Sequence, residues 1–111
     1  MELSVVVMAY NEAQNLGPVV EEILTVLAAL HITYELVIID DGSTDDTGRQ
    51  AEVLQNRFPG VRVIHHSTNQ GLGGVYRTGF TQTHGRCLTF FPADGQFPAT
   101  IIEQFLSLIH I

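Results

Sequence analysis

Apolar residues follow two alternating rhythms along this chain. Leu3-Ser4-Val5-Val6-Val7-Met8 is short, β-branched and almost wholly apolar, the pattern of a strand buried on both faces of a parallel sheet. From Pro18 the period changes: Val19, Val20, Ile23, Leu24, Val26, Leu27 and Leu30 recur at helical spacing. Asn15 is placed to cap this helix, and Glu21-Glu22 lie toward its positive end. The couplet returns as a strand from Tyr34 to Ile39, followed by a helix that starts at Asp45 or Thr47 and stops before Pro59-Gly60. It returns again as a strand from Val61 to His65, a loop at Ser67-Thr68-Asn69-Gln70 and a helix within Gly71 to Thr83. A fourth strand spans Cys87 to Phe91, and a fourth helix is expected to begin near Pro98. Strand and helix alternating throughout predict an α/β fold, an open parallel sheet with crossover helices.

In such sheets ligands bind beyond the carboxyl ends of the strands. The polar residues concentrate there: Tyr10-Asn11-Glu12, Asp40-Asp41-Gly42-Ser43, Asn69-Gln70-Gly71 and Ala93-Asp94-Gly95-Gln96 each follow a strand, so they should converge on one rim.

Composition narrows the chemistry. Twelve carboxylates against five arginines give the 111-residue chain a formal charge of −7, with an apolar fraction of 45%. The chain is globular by these measures and long enough for one core, so it is expected to be a single domain, residues 1–111. Phosphate backbones are held by clustered Lys and Arg, so no nucleic-acid partner is expected, and a divalent cation is the expected charged partner. The single Cys87 makes no internal disulfide, and no apolar run approaches the ~18 residues of a membrane span; a cytoplasmic location is expected. A Rossmann dinucleotide site needs a glycine turn after the first strand, and Met8 to Asn15 has none. Gly71, Gly73 and Gly74 miss the G-x-G-x-x-G spacing at Tyr76. The chain has no lysine, so neither a Walker loop nor a phosphoacceptor receiver domain is supported.

An acidic rim holds anions through a hard cation such as Mg²⁺ or Mn²⁺, whose oxygen ligands are often one or two carboxylates plus substrate phosphate. Asp94 and Gln96 have the residue types and spacing for one ion, although on spacing alone Asp94-Gly95 reads first as a turn. Asp40-Asp41-Gly42-Ser43-Thr44-Asp45 reads equally as a turn with a helix cap, or as acids that hydrogen-bond a base or ribose.

Taken in order, Val5 to Glu12, Val37 to Thr47, Asn69-Gln70-Gly71-Leu72-Gly73 and Ala93-Asp94-Gly95-Gln96-Phe97-Pro98 resemble the inverting family 2 glycosyltransferases. They look most like the dolichol-phosphate mannosyltransferase branch, which makes polyprenyl-phosphate sugars. The resemblance runs from about Leu3 to about Leu106. It implies the nucleotide-binding half of a glycosyltransferase A-type, Rossmann-like fold. It further implies a GDP- or UDP-sugar donor, a divalent cation (Mg²⁺ or Mn²⁺) and a polyprenyl phosphate acceptor. Tyr10 and Glu12 would line the nucleoside pocket, and Ile39 and Asp41 would frame and hydrogen-bond the base. Asp94 would be the catalytic metal ligand of the family's Asp-x-Asp motif, with Ala93 beside it at the nucleotide and Gln96 as a further metal-site residue. Two positions depart from the family pattern: Met8 stands where proline is usual, and Pro92 replaces the first acid of Asp-x-Asp. A complete member continues for roughly another hundred residues that carry the acceptor site, so the resemblance implies a truncated domain. In the full-length protein the domain would sit at the cytoplasmic membrane face.

The smaller signals read structurally. His65-His66 point to opposite strand faces and do not share an ion, Arg77 reads as a solvated helix face, and Cys87 as core. The function classes left open are a sugar transferase, a transferase of this family acting on a polysaccharide or other glycan, and a catalytically incomplete nucleotide-binding fragment.

Overall fold

The computed structural model describes residues 1–96 and 98–104. Seven elements alternate along them: β1 (Leu3–Ala9), α1 (Leu16–Ala29), β2 (Tyr34–Asp41), α2 (Thr47–Arg57), β3 (Val61–His66), α3 (Gly71–Gln82) and β4 (Cys87–Pro92). The four strands form one sheet in the order β3-β2-β1-β4, and every neighbouring pair is parallel. The expected α/β architecture is therefore present.

The near-continuous apolar strands are explained by burial on both faces. Val5, Val7, Leu36 and Ile38 pack on one side with Leu16, Val20, Ile23 and Leu27 of α1 and Ala51 and Leu54 of α2. Val6, Val37 and Ile39 pack on the other with Val75 of α3. Fully burying one such side chain stabilises the fold by about 1.5–3 kcal/mol. The α3 face is more thinly covered. Leu72, Tyr76 and Phe80, four residues apart on α3, remain exposed, and the Tyr76 and Phe80 rings meet Phe90 edge-on at 4.7 and 5.5 Å.

Several element boundaries differ from those expected. β2 continues through Asp40 and Asp41 because both carboxylates find partners across the β2–β3 ladder: His65 Nδ1 lies 2.9 Å from Asp40 and His66 Nδ1 2.7 Å from Asp41. The two histidines thus face opposite sides of the sheet, as alternation requires. α1 starts at Leu16, which puts Pro18 in the first turn, where a missing N–H breaks no helical hydrogen bond. Asn15 occupies the cap position without a side-chain cap bond; its amide donates to Glu12 Oε2 at 3.0 Å. The Glu21-Glu22 pair lies beyond the first turn, and Glu22 Oε1 accepts the Ala99 N–H at 2.9 Å. α2 starts at Thr47, and its capping acceptor is Asp45, whose Oδ1 takes the Thr47 N–H at 2.9 Å. A helical turn follows Pro98, with N–H bonds from Ile102 to Ala99 and from Glu103 to Thr100. The remainder of that expected helix, Phe105 to Ile111, lies outside the described residues.

Candidate functional site

The chain lays down β1, β2 and β3 in one direction and then places β4 on the opposite flank of β1. The carboxyl ends of β1 and β4 therefore border the point where strand order reverses, the crevice in which open α/β sheets bind ligands. A pocket of about 300 Å³ opens there. β1 and its loop contribute Met8, Tyr10 and Glu12, β2 contributes Asp41, the β3–α3 loop contributes Asn69 and Gly71, and β4 and its loop contribute Pro92, Ala93 and Asp94. All four strand-end segments thus meet at one rim.

The loops are pinned to one another by side-chain bonds to backbone amides. Asn11, held at φ 52°, offers its Oδ1 to the Thr44 N–H at 2.8 Å and the Asp45 N–H at 3.3 Å. Its own N–H donates to Ser43 Oγ at 3.0 Å, and the Glu12 N–H to Thr47 Oγ1 at 2.9 Å. Gly42, at φ +72°, lets the β3–α3 loop approach closely: a Cβ there would stand 2.4 Å from Asn69 N and 2.5 Å from Thr68 C.

Asp41 is the centre of this arrangement. Its Oδ1 accepts the Gln70 N–H at 2.9 Å and faces His66 Nδ1 at 2.7 Å, while its Oδ2 accepts the Gly71 N–H at 3.0 Å. The carboxylate therefore caps the first turn of α3, and His66 carries the link onward through Nε2 to Thr78 Oγ1 at 2.8 Å. Burial acts to raise the Asp41 pKa, but the bonds from His66 and from the Gln70 and Gly71 amides outweigh it and hold the carboxyl below its usual range. An ionised carboxylate only accepts, so His66 Nδ1 carries the hydrogen.

The other candidate residues are distributed unevenly. Tyr10 is half exposed on the pocket wall, with its ring free to stack on a ligand. Glu12 lines the pocket and also holds Asn15. Ile39 is fully buried in the small cluster under α3 and is not a wall residue; Met8, beside it in the β1–β2 register, forms the pocket surface instead. Ala93 and Asp94 line the pocket, whereas Gln96 is exposed outside it and its N–H closes a turn onto Asp94 Oδ1 at 3.0 Å. Gly95 adopts φ +77° in that turn, so the expected Asp-Gly turn is present. Among the described residues no three His, Cys, Asp or Glu side chains form a metal cluster. A cation here would take Asp94 as its protein carboxylate and complete its shell from the ligand and water, a donor set that suits Mg²⁺ or Mn²⁺. Met8 and Pro92, the two departures from the family pattern, are opposite one another in the β1–β4 register, and the Ala93 N–H donates to Met8 O at 3.0 Å. Asn69, Leu72 and Val75 also line the pocket. Leu72 and Val75 carry no sequence signal distinguishing them from ordinary helix residues.

The fold is the glycosyltransferase A-type, Rossmann-like one. The model of glycosyl transferase family 2 matches residues 4–110, and the chain belongs to that family. It is 33% identical over 109 residues to a dolichol-phosphate mannosyltransferase of Pyrococcus furiosus, covering 98% of this chain and 30% of that protein. It is 38% identical over 107 residues to a dolichyl-phosphate beta-glucosyltransferase of Drosophila melanogaster, covering 88% of this chain and 33% of that protein. The crystal structure of S. aureus TarS 1-349 in complex with UDP-GlcNAc superposes with a TM-score of 0.74 at 26% identity, covering 99% of this chain and 31% of that one. The chain thus spans about a third of the length of the relatives it matches. Among the described residues no helix is long and apolar enough to cross a membrane.

Proposed function

We propose that this domain binds the nucleoside-diphosphate part of a GDP- or UDP-sugar together with a divalent cation. In the full-length protein the sugar is then transferred, with inversion, to a polyprenyl phosphate at the cytoplasmic membrane face. The observation that carries the reading is the convergence of all four strand-end segments on one pocket at the switch point, with Asp41 and Asp94 both in its wall. The dolichyl-phosphate enzymes among its relatives favour the acceptor class.

In this reading Tyr10 stacks on the base, Glu12 lies near the base or ribose, Asp41 hydrogen-bonds the base, and Asp94 with Ala93 faces the diphosphate. Ile39 acts from beneath by packing under the wall. Asp94 would hold the cation, with Gln96 as a further metal-site residue. The cation, when bound, neutralises the diphosphate and stabilises charge developing on the leaving group. The protein's share is positioning: the Asn11, Asp41 and Asp45 bonds fix three of the four loops before ligand arrives, so little ordering remains to oppose binding.

The test is calorimetric titration of the purified protein with UDP and GDP, each with and without Mn²⁺, alongside Asp94→Ala. Binding that requires the cation and disappears in Asp94→Ala is expected; unchanged binding in that variant would remove the metal role. A second reading is a nucleotide-binding unit without transfer activity. Nucleotide binding with neither sugar transfer nor donor hydrolysis would select it, and transfer to a glycan but not to a polyprenyl phosphate would move the acceptor class.

A further inference from the structure

We infer that Glu22, an exposed residue of α1, is a positioning residue for the cation site, holding the Asp94 turn in place through the backbone of Ala99. The inference rests on the proposal that Asp94 carries the cation. The loops after β1, β2 and β3 are tied to one another through Asn11 and Asp41. The segment after β4 is held differently. At its near end the Ala93 N–H donates to Met8 O at 3.0 Å. At its far end the Ala99 N–H donates to Glu22 Oε1 at 2.9 Å, a bond between residues 77 positions apart. Asp94 lies between the two anchors, with the Gln96 N–H folded back onto its Oδ1.

The two anchors differ in kind. The first comes with strand pairing, because Met8 stands opposite Pro92 in the β1–β4 register. The second depends on one side chain. Ala99 is 1% exposed and belongs with Ile102 to the core cluster of Val19, Val20 and Ile23, so its N–H needs a partner from the protein. Apolar packing is non-directional and does not by itself fix where the segment sits along α1; the Glu22 bond does. The Asp94 turn rests on the same stretch of helix: a Cβ at Gly95 would come 3.9 Å from Val19 Cγ2, and Val19 and Glu22 are neighbours on one face at a spacing of three. A shift at Ala99 therefore carries Asp94 with it. Without the Glu22 acceptor, the Ala99 N–H is buried and unpaired, which drives the segment toward arrangements where that group reaches water. Asp94 then faces the pocket in a fraction of the molecules, and apparent cation affinity falls by that fraction. Nucleotide affinity for a site already holding its cation does not fall.

Titration of the purified protein with UDP and with GDP at increasing Mn²⁺ tests this, the readout being the Mn²⁺ concentration that gives half-maximal nucleotide binding. Glu22→Ala should need about tenfold more Mn²⁺, with nucleotide affinity recovered at saturating Mn²⁺. Glu22→Gln keeps an acceptor oxygen at the same reach without the charge and should need no more Mn²⁺ than wild type. Glu22→Asp keeps the charge on a shorter arm and should behave as Glu22→Ala. The neighbour control is Glu21→Ala, which removes the same charge at a residue paired with Arg57 and should leave the requirement unchanged. An unchanged requirement in Glu22→Ala overturns the inference. Impairment of Glu22→Gln equal to that of Glu22→Ala overturns it too, because the charge and not the bond would be acting. A loss of nucleotide affinity that saturating Mn²⁺ does not recover, or loss of the thermal unfolding transition, also overturns it, Glu22 then supporting the fold and not the site. Wild-type binding that needs no Mn²⁺, or no wild-type binding of either nucleotide, overturns instead the reading of Asp94 on which the inference rests, and it does so without any variant.

Discussion

Replacing Gly42 by alanine should damage both stability and ligand binding, through a contact that involves no side chain of the pocket. Gly42 sits at φ +72°, a conformation that costs a residue with a Cβ about 1–2 kcal/mol. The new methyl would also lie 2.4 Å from Asn69 N and 2.5 Å from Thr68 C, roughly 1 Å inside ordinary contact with backbone that has no rotamer to turn away. Relief requires the β3–α3 loop to retreat, which draws the Gln70 and Gly71 amides from Asp41. Losing one hydrogen bond to a charged acceptor costs about 1.5–3 kcal/mol. Strain and lost bond together come to about 2.5–5 kcal/mol, a large part of the 5–15 kcal/mol typical of a domain. With a urea slope of about 2 kcal/mol/M, the unfolding midpoint should drop by about 1.2–2.5 M. Nucleotide affinity should fall in the same variant, because Asn69 and Gly71 line the pocket. A midpoint within about 0.5 M of wild type, with affinity unchanged, would refute the reasoning.

Gly73→Ala should do the opposite: no atom lies within 4 Å of its added Cβ, and the helical site gains about 0.5–1 kcal/mol, read as a higher urea midpoint. Ile38→Ala, at a fully buried position in the larger core, should lower stability by about 2–5 kcal/mol with little change in the urea slope. The acid limb of stability should depend on Asp41 and Glu35. For Glu35, burial raises the pKa, but bonds from Ser4, the His84 N–H and Arg62 together lower it, as the α3 bonds do for Asp41. A depressed folded pKa contributes stability that is complete above the unfolded carboxylate value, about 3.9–4.3, and is lost as pH falls through the folded value. Urea midpoints measured from pH 7 to pH 2.5 should therefore decline below about pH 4, and the decline should be shallower in Asp41→Asn.

The alternation of apolar strands with helical spacing determined the fold class by itself, because a parallel sheet buried on both faces leaves no other reading of runs such as Val5-Val6-Val7. The gathering of the strand-end segments at one rim was equally legible, since polar residues at four strand ends have only one rim on which to meet. Local signals failed where a residue's partner is distant in sequence. Glu22 reads as a charge placed for the helix dipole, yet its carboxylate accepts the N–H of Ala99, seventy-seven positions along the chain. The opposite facing of His65 and His66 was legible, but their partners, two different carboxylates at the end of β2, were not. The use made of Asp41 belongs to the tertiary structure alone. Its lone pairs are allotted by residues 25 to 30 positions away, and only the packing of β3 and α3 against β2 decides how many remain for a ligand.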